Sequence, residues 1–155
     1  MILMPIVAAG GLTGDLQDDH EALRGLTELL DVQWEQLNGE PGRWEAVRQT
    51  LLLLAGRLRQ HMRREGDCAA DCLRRLGRLG AREWNCLALD HEQDAAALEV
   101  LLRTAAAVGC HAPEELEPSL RWLLRGLRSR MAEQETWLHP LLDAAGAADP
   151  QLTML

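Results

Sequence analysis

Asp19-His20-Glu21 recurs 71 residues later as Asp90-His91-Glu92, and the pair His61…Glu65 recurs 70 residues later as Met131…Glu135. Offsets that agree within one residue describe one unit written twice. That unit is helical. Leu16, His20, Leu23, Thr27 and Leu30 follow one another at steps of three and four, which on a helix of about 3.6 residues per turn puts them on one face. Leu51, Leu54, Leu58, His61 and Glu65 do the same, with Cys68 and Cys72 continuing the face. The constraint is severe: histidine and glutamate sit in the middle of apolar stripes, so the fold must bury them and give them partners.

The stripes and the turn residues between them predict four helices. The first opens at Thr13 or Asp15, either of which can cap it, and runs toward Trp34. Asn38-Gly-Glu-Pro-Gly42 is a turn. The second helix runs from near Gly42 to about Leu76, with Gly66 as a point of bending, and Gly77 and Gly80 flank the turn after it. The third is expected from about Ala81 to Val108, with Trp84, Leu87, His91, Ala95, Leu98 and Leu102 inward. Gly109 to Pro113 reads as a loop. The fourth opens over Glu114 to Pro118 and carries Leu120, Leu124, Leu127, Met131, Glu135 and Leu138 on one face. The expected architecture is all-α: an up-down-up-down four-helix bundle with a pseudo-twofold repeat of a helical hairpin. It spans residues 15–144, between an N-terminal lead over 1–14 and a C-terminal tail over 145–155.

Composition supports this class and removes others. The chain of 155 residues is long enough for one core, and its few β-branched residues favour helix. A net charge of -8 argues against nucleic acid as a partner. The apolar lead from Met1 to Gly11 has no basic start and is too short to span a bilayer, so no membrane role is expected and the protein reads as cytoplasmic. Cys68, Cys72, Cys86 and Cys110 match no zinc-knuckle spacing. Cys68 and Cys72 are expected to serve as small hydrophobes on the inward face. No Ser–His–Asp order and no glycine-rich phosphate loop point to an enzyme.

In a pseudo-twofold bundle, equivalent residues converge on the axis. His20, His61, Glu65, His91 and Glu135 would therefore meet in the middle, with Met131 where symmetry expects a sixth donor. Neutral imidazoles and bridging carboxylates in a dry interior are what transition-metal ions require.

A lone His, then His-x-x-x-Glu, then a lone His, then a fourth helix in the same pattern resembles the hemerythrin-like HHE cation-binding domains. The likeness runs from Asp19 to Pro140. Asp19-His20-Glu21-Ala22-Leu23-Arg24 is similar to the family's first motif, His61-Met-Arg-Arg-Glu65 to its second and Asp90-His91-Glu92 to its third. Met131-Ala-Glu-Gln-Glu135-Thr-Trp-Leu-His-Pro140 is similar to its fourth. The resemblance implies a non-haem di-iron centre held by His20, His61, Glu65, His91 and Glu135, and a role in sensing or answering to oxygen, nitric oxide or iron. A small diatomic is then the expected partner, with the oligomeric state open and a dimer compatible.

The chain departs from that pattern in three places. Oxygen carriers of the family place a His where Ala95 stands and an Asp where Thr136 stands, so oxygen transport is not expected. Met131 replaces a histidine donor, and a thioether is a poor ligand for iron, so the second metal position should be weak. His139 could swing in as a substitute, but its register at an apolar position favours a surface or capping role, like that of His111. Asp94 and Gln134 could support the ligands, although ordinary solvated positions are expected for both. The alternative is a metal-free bundle acting as an interaction module.

Overall fold

A computed structural model describes residues 13–75, 77–107 and 114–147. Helix α1 spans Gly14–Glu35, α2 Pro41–Arg75, α3 Gly77–Ala107 and α4 Leu116–Glu133. The fourth helix does not stop there. A π-helical turn, Gln134–Leu138, leads into α5, His139–Ala147. Each of α1 to α4 packs on its neighbour in sequence, α4 returns to α1, and α5 lies against α2. This is the expected all-α four-helix bundle. No described helix is long and apolar enough to cross a membrane.

Local chemistry explains the first turn. Gly39 has φ 83° and is the one described residue that takes a left-handed conformation there. Asn38 bonds the Glu40 backbone N–H through Oδ1, and Pro41 then starts α2 where its missing N–H costs nothing. Thr13 stands at the cap of α1, but its hydroxyl does not cap the helix; it donates to Asp143 Oδ2 at 2.9 Å and so ties the start of α1 to α5.

Two expectations about α3 are corrected. The helix begins at Gly77, four residues before Ala81, so Gly77 and Gly80 lie inside it rather than beside a turn. Its inward residues are Leu87, Asp94, Leu98, Leu101 and Ala105, whereas Ala95 is exposed and Leu102 only partly buried. Steps of seven residues match the 3.5-residue period that supercoiled bundles impose. The predicted stripe took two steps of four in succession, from Leu87 to Ala95, and drifted off the face. The loop expected over Gly109 to Pro113, with Cys110 and His111, lies outside the described residues, as do most of the lead and tail.

The core is divided in two. Leu23, Leu30, Leu51, Leu58, Leu98, Leu127 and Met131 belong to a large apolar cluster, while Leu16, Ala69, Cys72, Leu87, Leu138 and Leu142 form a smaller one. Each of α1, α2 and α3 crosses from one cluster to the other, α4 does so through the π turn and α5, and successive helices cross in opposite senses. Between the clusters each helix spends about one turn in polar residues: Asp19 and His20, His61 and Glu65, His91 and Asp94, Gln134 and Glu135. A polar layer thus lies between two apolar plugs.

Candidate metal centre

His20, His61 and Glu65 are 0%, 3% and 0% exposed, and one donor atom from each falls within 4.8 Å of the others. These are three of the five residues singled out from sequence. The remaining two meet them by hydrogen bonds. His91 Nε2 donates to Glu65 Oε2 at 2.7 Å, and His20 Nδ1 donates to Glu135 Oε1 at 2.8 Å. Because the carboxylate can only accept, the His20 proton is on Nδ1, and the lone pair on Nε2 faces the layer.

That Nε2 stands 3.2 Å from Nε2 of His61. With the His20 proton on Nδ1, the contact is a hydrogen bond donated by His61. Two imidazole nitrogens on one ion, each bonded at about 2.1 Å, would be about 3.0–3.4 Å apart for angles from square to tetrahedral. The observed spacing suits a shared cation, provided His61 moves its proton to Nδ1. Asp19 Oδ2 lies 3.6 Å from that Nδ1, and neither atom has a hydrogen-bond partner. An aspartate behind a ligand histidine is the common means of fixing its tautomer.

Burial pushes the His61 ring down to about 4, against an opposing pull from Glu65. The ring is therefore neutral at neutral pH, the state that can ligate. Glu135 behaves otherwise: burial would raise its carboxyl, but hydrogen bonds from Arg24 and His20 outweigh that and hold it below its ordinary value. Arg24 grips Glu135 Oε2 at 2.6 Å.

Each carboxylate at the rim of the layer has its own arginine. Glu135 pairs with Arg24, Asp19 with Arg64 at 2.9 Å, and Asp94 with Arg130. Glu65 has none among the described residues. Its Oε2 accepts from His91 and from Gln134 Nε2 at 3.1 Å, while its Oε1 is buried with no partner. A fully buried carboxylate without a cation is costly, and an orphaned oxygen adds about 1–3 kcal/mol. The donor set therefore fits a metal ion: two imidazoles and one carboxylate converging, with one carboxylate charge left to be balanced.

Several expectations change here. Asp94 and Gln134 are 4% and 7% exposed, not solvated; Gln134 supports Glu65, and Asp94 turns to Arg130 rather than His91. His139 is neither at the surface nor a cap. It is 5% exposed and stacks on His20 with ring centroids 4.9 Å apart, and its Nε2 has no partner. Burial first, then His20, lowers its pKa below the ordinary histidine value. In an unbroken α-helix His139 would lie about 140° around from Gln134. The π turn widens the ladder to i→i+5, with the His139 N–H bonding the Gln134 carbonyl, and brings His139 round to the buried side. Asp19 was within the quoted motif and one step off the apolar phase, so its burial was legible; its pairing with Arg64 was not. Met131 is 3% exposed, and a cavity of about 20 Å³ lies beside it, bordered also by His91, Asp94 and Arg130.

Cys72 is buried and Cys68 half-buried, the latter pushed up to about 11 by burial and by Cys72. A thiol so protonated is a poor nucleophile and a poor ligand.

No curated protein and no solved structure matches this chain. The family model of the hemerythrin HHE cation binding domain matches residues 11–142, which include the whole polar layer. With that match over most of its length, and with a buried His–His–Glu cluster at the layer where its four helices meet, the chain belongs to the hemerythrin HHE cation-binding domain family.

Proposed function

We propose that the domain holds non-haem iron in the polar layer and senses, or answers to, a small diatomic such as oxygen or nitric oxide. The observation that carries this reading is the buried cluster of His20, His61 and Glu65. Two imidazoles and one carboxylate are a donor set that suits ferrous iron and leaves coordination positions open. Iron bound there would supply a position at which a diatomic can attach. We assign His20, His61 and Glu65 as its principal ligands, and His91 and Glu135 as those of a weaker second position, which lacks an imidazole at Met131.

The chain's own residues have definable tasks in this reading. Glu135, clamped by Arg24, holds the His20 proton on Nδ1 and keeps the Nε2 lone pair inward. Asp19 can do the same for His61. Gln134 and His91 orient Glu65. Leu16, Leu23, Leu58 and Leu87, each at most 2% exposed, close the layer above and below against water. The buried thiols suit a reducing compartment, and we take the protein as cytoplasmic.

Met131, packed in the apolar cluster at a ligand position, favours a second reading in which the bundle has lost its metal and serves as an interaction module. Metal analysis of protein purified from iron-replete cells decides between them. Iron at near one equivalent per chain or above, with a visible spectrum that changes on adding nitric oxide, is the expected result. Protein that takes up neither iron nor any other transition metal belongs to the second reading.

A further inference from the structure

We propose that this chain holds one ion rather than two, and that His139 turns onto that ion as a third imidazole beside His20 and His61, with Glu65 as the carboxylate. The inference rests on the metal-binding reading above, but replaces its weaker second position at His91 and Glu135 with an additional donor on the first ion.

The argument for one ion is steric and rests on shared donors. The second position would lie in the small cavity beside Met131, which is lined by His61, Glu65 and His91, so it would have to share His61 and Glu65 with the first ion. Arg130 is fixed there by a two-pronged pair with Asp94, and its side chain is 16% exposed. Glu135 does not line that cavity, and Arg24 already holds it at 2.6 Å. The cavity, at about 20 Å³, has room for little more than one water.

The argument for His139 is geometric. It is buried in the same layer, and its Nε2 has no hydrogen-bond partner. Its ring lies 4.9 Å from that of His20 at an interplanar angle of 30°, about as close as the rings of His20 and His61 at 4.7 Å. It stands just outside the tight set formed by His20, His61 and Glu65. A rotation about its side-chain bonds brings its orphaned nitrogen to the ion and satisfies it. The π turn supports the assignment, because such turns recur at functional sites and this one is what turns His139 inward.

The test uses the full chain with cobalt(II) as probe. Stoichiometry comes from titration, and the number of imidazoles on the metal from X-ray absorption. We compare wild type with His139→Phe, which keeps a ring stacked on His20 but removes the donor, and with His139→Ala, to which free imidazole is added. Circular dichroism checks that each variant is folded. The expected result is one ion per wild-type chain with three imidazoles. The Phe variant should have two imidazoles and an affinity lower by at least about tenfold, since even a supporting residue costs about 10–100-fold. Imidazole should restore the third nitrogen in the Ala variant. Two ions per chain, or an imidazole count that His139→Phe leaves unchanged, overturns the inference and leaves metal binding intact. A wild type that binds no cobalt and no iron overturns the metal reading and this inference with it.

Discussion

The two hairpins answer the same sequence unit differently. In α1 and α2 the unit delivers His20, His61 and Glu65, all buried, with ring nitrogens and a carboxylate turned toward one another. In α3 and α4 it delivers His91, whose side chain is 20% exposed, Met131 in place of an imidazole, and Glu135, 24% exposed and held by an arginine of the other hairpin. The first half turns two imidazoles and a carboxylate that no described arginine pairs toward one another, whereas in the second both Asp94 and Glu135 are paired with guanidinium groups. Pseudo-symmetry in the backbone therefore does not carry symmetry of chemistry with it.

The comparison is broken most directly by removing donors. His61→Ala and Glu65→Ala should each abolish most metal binding, because each strips a donor from the buried cluster, whereas His91→Ala should retain the larger part. Metal per chain after gel filtration is the readout, and equal losses in all three would make the halves equivalent. Next in size is Asp94→Ala, which leaves the Arg130 guanidinium in the layer without its partner. Urea unfolding should show a loss of about 3 kcal/mol or more. A loss below about 1 kcal/mol would mean that Arg130 simply reaches solvent, and the second half would no longer differ from the first in the way described.

Protonation sharpens the same contrast. His61 is held at about 4 when folded and returns to about 6.5 when unfolded, so between those values the unfolded chain binds the additional proton. The stabilising effect of keeping the ring neutral in the unfolded reference is therefore complete above about pH 6.5 and is lost as pH falls toward 4. Metal-free protein should lose up to about 3 kcal/mol across that window. His61→Leu should flatten the profile; an unchanged slope in that variant would assign the effect to another group. The smallest effect belongs to Met131→His. The new imidazole enters the cavity beside Arg130, so the count of bound ions should barely rise. Met131→His combined with Arg130→Leu should raise it toward two, and a full rise in the single variant would show that Arg130 is no barrier.

The sequence by itself determined the helices, their alternating directions and the layer in which the chemistry sits. Each of these follows from local periodicity: apolar steps of three and four set the buried face, Asn38-Gly-Glu-Pro marks the reversal, and His20, His61, Glu65 and His91 fall between two apolar runs on their own helices. Tertiary structure decided what those residues do once they meet. Arg24 and Glu135 are 111 residues apart, Asp94 and Arg130 are 36 apart, and no local pattern relates them. The inward phase of Asp94 instead of Ala95 depends on supercoiling against neighbouring helices, which changes the period by a small amount that accumulates along the chain. The burial of His139 depends on one widened turn between Gln134 and Leu138. A residue's phase on a helix is the sum of all turns before it, so a single i→i+5 step, made where packing of the two apolar clusters requires it, moves a histidine from an expected surface position to the side of the metal centre.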